Sequence, residues 1–335
     1  LISVIATVLN EGDNIRRLMD SLVAQSCQPD DVVIVDGGSR DNTVDVLREY
    51  EERLPLRVIL APGSNISAGR NKAIAAARND IIAVTDAGVA LENDWLKRIT
   101  HPLLEDEAVE VVAGFFRADP HTLFEAAMSA TVLPLADEID PDTFLPSSRS
   151  IAFRKSAWAA VGGYPEWLDY CEDLMFDLRL KMISAPQVFE PRAVVYFRPR
   201  GSLRSFYRQY FLYARGDGKA DLWRRRHAIR YATYLLAAPL LLWMGLRGKE
   251  NMRQLAIMLL AVGTGLYLRQ PYRRLRILLR ELASMGAVRV TLRSNLHAIA
   301  LVPIIRVVGD GAKLIGYPVG WWWRLKNNPP DWKRM

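Results

Sequence analysis

Asp31-Val-Val-Ile-Val-Asp-Gly-Gly-Ser-Arg-Asp-Asn-Thr-Val-Asp-Val-Leu47 reads as a strand joined to a helix by a glycine turn. Four apolar residues in a row, Val32 to Val35, suit a strand buried on both faces, as in a parallel sheet. The run stops at Asp36, and Gly37-Gly38 lets the backbone turn without a Cβ penalty. Ser39, Asp41 and Thr43 offer side-chain oxygens to cap a helix beginning near Asn42. A carboxylate at the carboxyl end of a parallel strand, beside such a turn, is where open α/β sheets bind ligands. Taken alone, the same pattern also suits an ordinary strand-to-helix turn whose aspartate only caps.

The flanking sequence repeats the alternation. Residues 1–9 form a first strand, ending in the polar cluster Asn10-Glu11-Gly12-Asp13-Asn14. A helix with apolar spacing at Ile15, Leu18, Met19 and Leu22 follows it. After the Asp36 strand come a helix to about Arg53, a strand at 56–60, a helix at 67–78 and a strand at 80–85 that ends at Asp86. Strand alternating with helix over the first ninety residues means βαβ units and a parallel sheet. Further on, the pattern gives a helix at 91–104, a strand at 109–116 and a helix then a Pro-rich loop over 119–146. A strand at 148–154, a Gly162-Gly163-Tyr164-Pro165 turn, a helix at 172–182 and a last strand at 188–197 complete the expected set.

The chain has 335 residues, half of them hydrophobic, which favours two regions and a sizeable core. Its net charge of +7 hides an asymmetry. Residues 1–200 hold 20 Lys/Arg against 31 Asp/Glu, a balance of −11, and residues 201–335 hold 24 against 6, a balance of +18. An acidic front half with a basic, apolar back half suits a domain tied to an anionic membrane surface. The basic residues flank apolar runs, which favours lipid over nucleic acid. Cys27 and Cys171 have no paired spacing, so a disulfide framework and a structural zinc site are both unexpected and a reducing compartment fits. Residues 1–9 lack the charged region of a signal peptide.

From Leu203 the pattern changes. Residues 231–246 and 255–268 are apolar runs of 16 and 14 residues bordered by arginines and lysines. Each is short of the roughly 17–25 residues of a membrane span, but the basic connector at 247–253 makes them a helical hairpin entering the bilayer. The dense basic residues at its outer ends put those ends in the cytoplasm. A buried hairpin of a soluble domain is the alternative. Residues 297–323, interrupted by Arg306, Asp310 and Lys313 and ending in Trp321-Trp322-Trp323, suit a helix at the membrane interface.

Three acidic positions stand at strand ends or at a following turn: Asp36, Asp86 and the pair Glu172-Asp173. Their order and setting carry a resemblance. Val4-Ile-Ala-Thr-Val-Leu-Asn-Glu11, Val35-Asp-Gly-Gly-Ser-Arg-Asp-Asn-Thr43, Ala68-Gly-Arg-Asn-Lys-Ala73, Thr85-Asp-Ala-Gly88, and Gly162-Gly-Tyr-Pro165 followed by Glu172-Asp173, come in the order of one family's motifs. The chain resembles the family 2 inverting glycosyltransferases of the GT-A fold over about residues 1–215. Val302 to Pro318 adds a looser likeness to membrane-attached members that build bacterial exopolysaccharides, the succinoglycan-type glucosyltransferases.

The resemblance implies a Rossmann-like mixed sheet flanked by helices over 1–215, then a membrane-associated helical tail over 216–335. It implies that Thr7, Asn10, Glu11 and Gly38 line a nucleotide pocket and that Asp36 accepts a hydrogen bond from the base. Arg70 would lie along the base or diphosphate, where a guanidinium can bind two oxygens at once; the alternative is a helix-surface charge. Asp86 matches the first carboxylate of the family's Asp-x-Asp motif, which holds the ribose and a divalent metal. The second carboxylate is replaced by Gly88, so a Mg²⁺ or Mn²⁺ ion would rest on one protein carboxylate, waters and substrate phosphate. Asp94 caps or faces solvent. Asp173 matches the catalytic base that takes the acceptor hydroxyl proton. Glu172 either shares in this or supports it, and Asp177 is structural.

Gln209 matches the first residue of the Gln-x-x-Arg-Trp of processive members, but Arg215 falls three residues late, which argues for transfer of one sugar. Arg198, Arg200, Arg204, Arg208 and Arg215 could neutralise a diphosphate or snorkel at the interface. The implied partners are a nucleotide-sugar donor, UDP-linked, a polyprenyl-diphosphate-linked acceptor and membrane lipids. The implied place is the cytoplasmic face of a bacterial inner membrane. Two rivals remain: a polyprenyl-phosphate sugar synthase, and a membrane-anchored protein that binds nucleotide sugar without turning it over. A Rossmann dehydrogenase is disfavoured, because no G-x-G-x-x-G follows the first strand.

Overall fold

The computed structural model describes residues 1–284 and 291–330. Their contacts divide into two compact units, one of Leu1–Asp119 with Ala136–Arg198, the other of Pro120–Leu135 with Pro199–Pro330.

The first unit is built on an eight-stranded mixed sheet. Its strands are β1 (Ile2–Val8), β2 (Asp31–Asp36), β3 (Leu56–Leu60), β4 (Ile81–Val84), β5 (Val89–Leu91), β6 (Val111–Ala118), β7 (Ile151–Arg154) and β8 (Gln187–Phe197). The order is β3-β2-β1-β4-β7-β6-β8-β5, with β3, β2, β1 and β4 parallel and β7 antiparallel to β4 and β6. Helices α1 (Arg16–Val23), α2 (Thr43–Arg48), α3 (Ile66–Ala76) and α4 (Trp95–Glu105) supply the crossovers.

Alternation along the strands makes two cores. Val32 and Ile34 join Val4, Ala6 and Val8 of β1 under α1 and α4, whereas Val33 and Val35 join Ile5 under α3. Each residue from Val32 to Val35 is at most 1% exposed, and burying such a side chain is worth about 1.5–3 kcal/mol. The strand is buried on both faces, as the unbroken apolar run requires.

Differences from expectation are local. The three-residue β5 hydrogen-bonds to the end of β8 at Val195–Phe197 and is too short to show a period. A six-residue helix, α5, spans Lys155–Ala160 and opens with no capping side chain. Between Ala113 and Phe115 of β6 the register against β8 slips from Phe189 to Val194, so β8 bulges at Glu190-Pro191-Arg192. Proline cannot donate to the ladder, and a bulge is where a strand tolerates it. The helix α6 (Glu172–Met182) begins at the residue expected of it.

The second unit is helical: α7 (Leu123–Val132), α8 (Leu203–Ala220), Arg224–Arg247, α9 (Glu250–Ser284) and α10 (Leu292–Asn327). Arg224–Arg247 is continuous through a π-helical stretch at Ala232–Ala237, and Gly248-Lys249 alone separates it from α9. The expected division after residue 215 falls inside α8, all of which packs in this unit.

The apolar run 255–268 is not a separate helix. It is the front half of the 35-residue α9, whose back half buries Leu275, Leu278 and Leu282. The segment 297–323 likewise belongs to one long helix, which buries Ala298, Val302 and Ile305. Glycines hold α10 against α8: a Cβ on Gly320 would stand 1.9 Å from the Arg215 carbonyl oxygen, and one on Gly218 2.3 Å from that of Tyr317. Such close backbone approach needs small residues on both helices. It makes α10 a packed element rather than a helix lying alone at an interface. Among the described residues, only Arg224–Arg247 is long and apolar enough to cross a membrane, by length and composition.

Candidate active site

The parallel strands β2, β1 and β4 end side by side, so the segments that follow them share one edge of the sheet. The chain runs outward from β1 to β2 and β3 and then crosses back to β4 on the other side of β1, and that reversal of strand order opens the crevice where doubly wound sheets take ligands. Helix α3 lies close behind. A Cβ on Gly69 would be 2.7 Å from Thr7 Cγ2, so only glycine lets α3 settle on β1 there. Thr7 is accordingly half-buried beneath the helix.

The loop after β1 is fastened to the loop after β2. Asn10, at φ 54°, accepts a bond from the Arg40 backbone N–H at 2.9 Å, and its own N–H donates to Ser39 Oγ at 2.8 Å. The Glu11 and Gly12 backbone N–H groups donate to Thr43 Oγ1 at 2.9 and 2.8 Å. Asp36 is 2% exposed and turns its carboxylate back on its own turn. Oδ1 accepts from the backbone N–H of Gly38 and Ser39 at 2.9 and 2.8 Å, and Oδ2 from the Ser39 hydroxyl. Gly38 has φ 104°, a conformation that favours glycine, and a Cβ there would stand 3.1 Å from Pro62 Cα. Asn10, Asp36 and Gly38 thus shape the rim of the crevice, and Asp36 keeps one lone-pair direction of four for a ligand.

The centre of the site is Arg70, on α3, 2% exposed. Its Nη2 donates to Asp86 Oδ1 and its Nη1 to Glu172 Oε1, each at 2.7 Å. The guanidinium carbon sits 5.2 Å from the ring centre of Tyr164, which in turn stacks on Phe176 of α6 at 4.2 Å. The Tyr164 hydroxyl is 3.0 Å from Ser148 Oγ. One side chain therefore links the end of β4, the start of α6 and the Gly162–Pro165 turn. A helix-surface charge it is not.

Arg149 is the residue that sequence reading passed over. Its Nε lies 3.5 Å from Asp86 Oδ2, and its guanidinium lies 4.8 Å from the Phe197 ring centre. It occupies a loop ahead of β7 with no motif around it; a lone arginine beside a strand start was the only signal. Asp94 bonds Ser26 and Arg98 and takes no part in this group.

Burial and charge act against each other here. Burial opposes the ionisation of Asp86, but Arg70 and Arg149 prevail and hold its carboxyl below the usual range. For Glu172, 7% exposed, burial and then the neighbouring Asp173 outweigh Arg70 and push it up to about 7. Burial also raises Asp173, against Arg70 and the Leu174 backbone N–H that donates to it at 2.8 Å. Asp177 is raised well above its ordinary value, by burial and then by Asp173, and its buried Oδ2 has no hydrogen-bond partner. Asp173 itself is half-buried, so its carboxylate is poorly hydrated. A carboxylate raised in this way accepts a proton more readily than an exposed one.

Among the described residues, no three His, Cys, Asp or Glu side chains gather as a metal site. Asp86 still fits as a single ligand, with 24% of its side chain exposed. A Cβ added at Gly88 would meet nothing within 4 Å, which leaves room for the waters a hard cation keeps. The charge balance also calls for one. Arg70 and Arg149, two cations, already face the three carboxyl groups of Asp86, Glu172 and Asp173, so on their own they would neutralise an incoming diphosphate only in part.

Residues 3–157 match the profile of Glycosyl transferase family 2. The chain is 28% identical over 249 residues to the succinoglycan biosynthesis protein ExoA of Rhizobium meliloti, covering 71% of this chain and 75% of that one. It is 28% identical over 286 residues to the pre-mycofactocin glycosyltransferase of Mycobacterium tuberculosis, covering 79% of this chain and 56% of that one. Among solved structures, the fold is shared with the mannosyltransferase PcManGT from Pyrobaculum calidifontis, solved with GDP-Man and Mn²⁺. That alignment has a TM-score of 0.54 and 18% identity and covers 98% of this chain and 88% of that one. S. aureus TarS 1–349, solved with UDP-GlcNAc, aligns at a TM-score of 0.51 and 17% identity over 97% of this chain and 92% of that one.

Proposed function

We propose that this glycosyltransferase, whose first half is a family 2 domain on a GT-A fold, transfers one sugar from a UDP-linked donor to a lipid-linked saccharide, with inversion. Its setting is polysaccharide biosynthesis. The observation that carries the reading is Arg70, which gathers Asp86 and Glu172 beside the half-buried Asp173.

Asp173 takes the proton of the acceptor hydroxyl as that oxygen forms its bond to the anomeric carbon. On the opposite face the bond from that carbon to the phosphate oxygen breaks, and the electron pair leaves with the nucleoside diphosphate. Proton transfer by a placed carboxylate contributes roughly 10²–10⁴-fold in rate. Arg149 and Arg70 stand where departing negative charge needs a cation. Thr7, Asn10, Glu11, Asp36 and Gly38 line the nucleotide end. A divalent ion held by Asp86 would supply further neutralisation of the diphosphate.

The exposed apolar side chains of the helical unit support attachment to a bilayer. Leu235, Leu236, Leu240, Leu242, Trp243 and Leu246 are all more than half exposed, a density unusual for a surface facing water. The basic residues at Arg224–Arg226 and Arg269–Arg280 support a cytoplasmic catalytic unit at a bacterial inner membrane.

The test is nucleoside diphosphate release from a panel of nucleotide sugars, using solubilised full-length protein and lipid extract. Release from a UDP-sugar that requires the lipid fraction is the expected result. Release from a GDP- or dTDP-sugar alone would replace the donor, and release with a sugar-free lipid phosphate as sole acceptor would favour a polyprenyl-phosphate sugar synthase. Nucleotide bound with no release from any donor would leave a binding protein.

Gly88 offers a separate check on the metal. Its φ is outside the left-handed region and the space beside it is open, so Gly88→Asp is expected to fold normally. A second carboxylate should lower the Mg²⁺ or Mn²⁺ concentration for half-maximal activity by about tenfold. An unchanged requirement would mean that the ion does not sit at Asp86.

A further inference from the structure

Within the helical unit, α9 and α10 line an open cavity of about 620 Å³. Leu275 and Leu279 of α9 and Ile299 of α10 line its apolar part. Tyr272 lines it as well, its hydroxyl donating to the Ile299 carbonyl at 3.3 Å. The volume falls in the range of sites that enclose small organic ligands, about 300–1,000 Å³.

Two features set this cavity apart from a packing defect. Arg276 and Arg280 stand at its edge, four residues apart on one face of α9, and among the described residues neither is paired with a carboxylate. Asn295 lines it too, and its Oδ1 is buried with no hydrogen-bond partner. Because an amide can be turned end for end, Asn295 can present either its oxygen or its NH₂ to a guest. Apolar walls, a buried amide in want of a partner and two unpaired guanidinium groups together describe an amphiphile with an anionic head.

We propose that this cavity is a binding site for one anionic membrane phospholipid. Its phosphate lies between Arg276 and Arg280, which can each offer two N–H donors to phosphate oxygens, and an acyl chain lies along Leu275, Leu279 and Ile299. Charge complementarity selects the occupant. The second half of the chain carries a surplus of 18 positive charges, so an anionic leaflet is what it meets. A bound lipid here would fix the ends of α9 and α10 to the bilayer surface. The inference rests on the membrane reading above but not on sugar transfer, so it can stand if the donor or acceptor is reassigned.

Native mass spectrometry of the full chain in detergent, titrated with phosphatidylglycerol or phosphatidylcholine, tests it. The expected result is one phosphatidylglycerol retained per chain, with phosphatidylcholine held at least tenfold more weakly. Arg276→Gln/Arg280→Gln should lose that lipid with its Tm unchanged, since both arginines are exposed. Arg225→Gln/Arg226→Gln removes as much charge elsewhere and should keep it. Equal retention of the two lipids, or equal loss in both double variants, would overturn the proposal, because it would reduce binding to general electrostatics. Preferential retention of a polyprenyl phosphate over phosphatidylglycerol would also overturn it, by making the cavity an acceptor site.

Discussion

Replacing Arg70 with alanine is expected to destabilise the α/β unit by about 3–5 kcal/mol and to abolish sugar transfer. The size follows from what is left behind. Asp86 and Glu172 each lose a 2.7 Å ion pair, and Glu172 is 7% exposed, so water does not replace the guanidinium. Removing one partner of a buried pair strands the other charge, which costs far more than the pair is worth intact. Lysine at this position should not rescue it. One ammonium cannot span two carboxylates that a planar fork meets from different nitrogens. Urea midpoints of the wild type, Arg70→Ala, Arg70→Lys and Arg70→Ala/Glu172→Gln decide the matter. The double variant should recover part of the loss, because the neutral amide no longer needs a counter-charge. If it recovers nothing, the instability comes from the lost packing on Tyr164 and not from stranded charge.

The sequence was legible where a physical requirement is local. Val32 to Val35 had to be a doubly buried strand, and Gly37-Gly38 had to be its turn. The helix from Glu172 to Met182 was also read at the bounds it has. What it could not disclose was how distant segments combine. Arg70 and Glu172 are 102 positions apart, and no periodicity in either neighbourhood says that one guanidinium joins them. Arg149 lies in a loop, where side-chain direction is set by tertiary contacts rather than by a repeat. In the helical part, hydropathy marked apolar runs but not their partners. The glycines at 218, 316 and 320 that press α10 on α8 are visible in the sequence, yet only the opposed backbones give them meaning.

Asp173→Asn should lower turnover by about 10²–10⁴ while leaving the protein more stable, not less. The two effects have one cause. Asp173 is a half-buried carboxylate whose charge raises both Glu172 and Asp177, so it sits in a repulsive setting that, on the proposed mechanism, favours its action as a base. Asparagine keeps the shape and removes the repulsion, and Tm should rise. The pH dependence carries the same signature. Because the folded state raises the pKa of Asp173, the base is lost as pH falls through that raised value, and activity in the wild type should climb as pH increases towards neutrality. Stability runs the other way. A group whose pKa is raised on folding, such as Glu172 at about 7, contributes in full below the ordinary glutamate value and loses its contribution as pH rises through about 7. Wild-type Tm should therefore decline from pH 5 to pH 8 while turnover increases. In Asp173→Asn the decline should move to lower pH, since Glu172 no longer titrates beside a second carboxylate. A variant that keeps its turnover would remove Asp173 from the chemistry and point to an acceptor, such as a phosphate, that needs no base. One that loses turnover and also loses Tm would mean that Asp173 holds the fold together, and the inactivity would then say nothing about proton transfer.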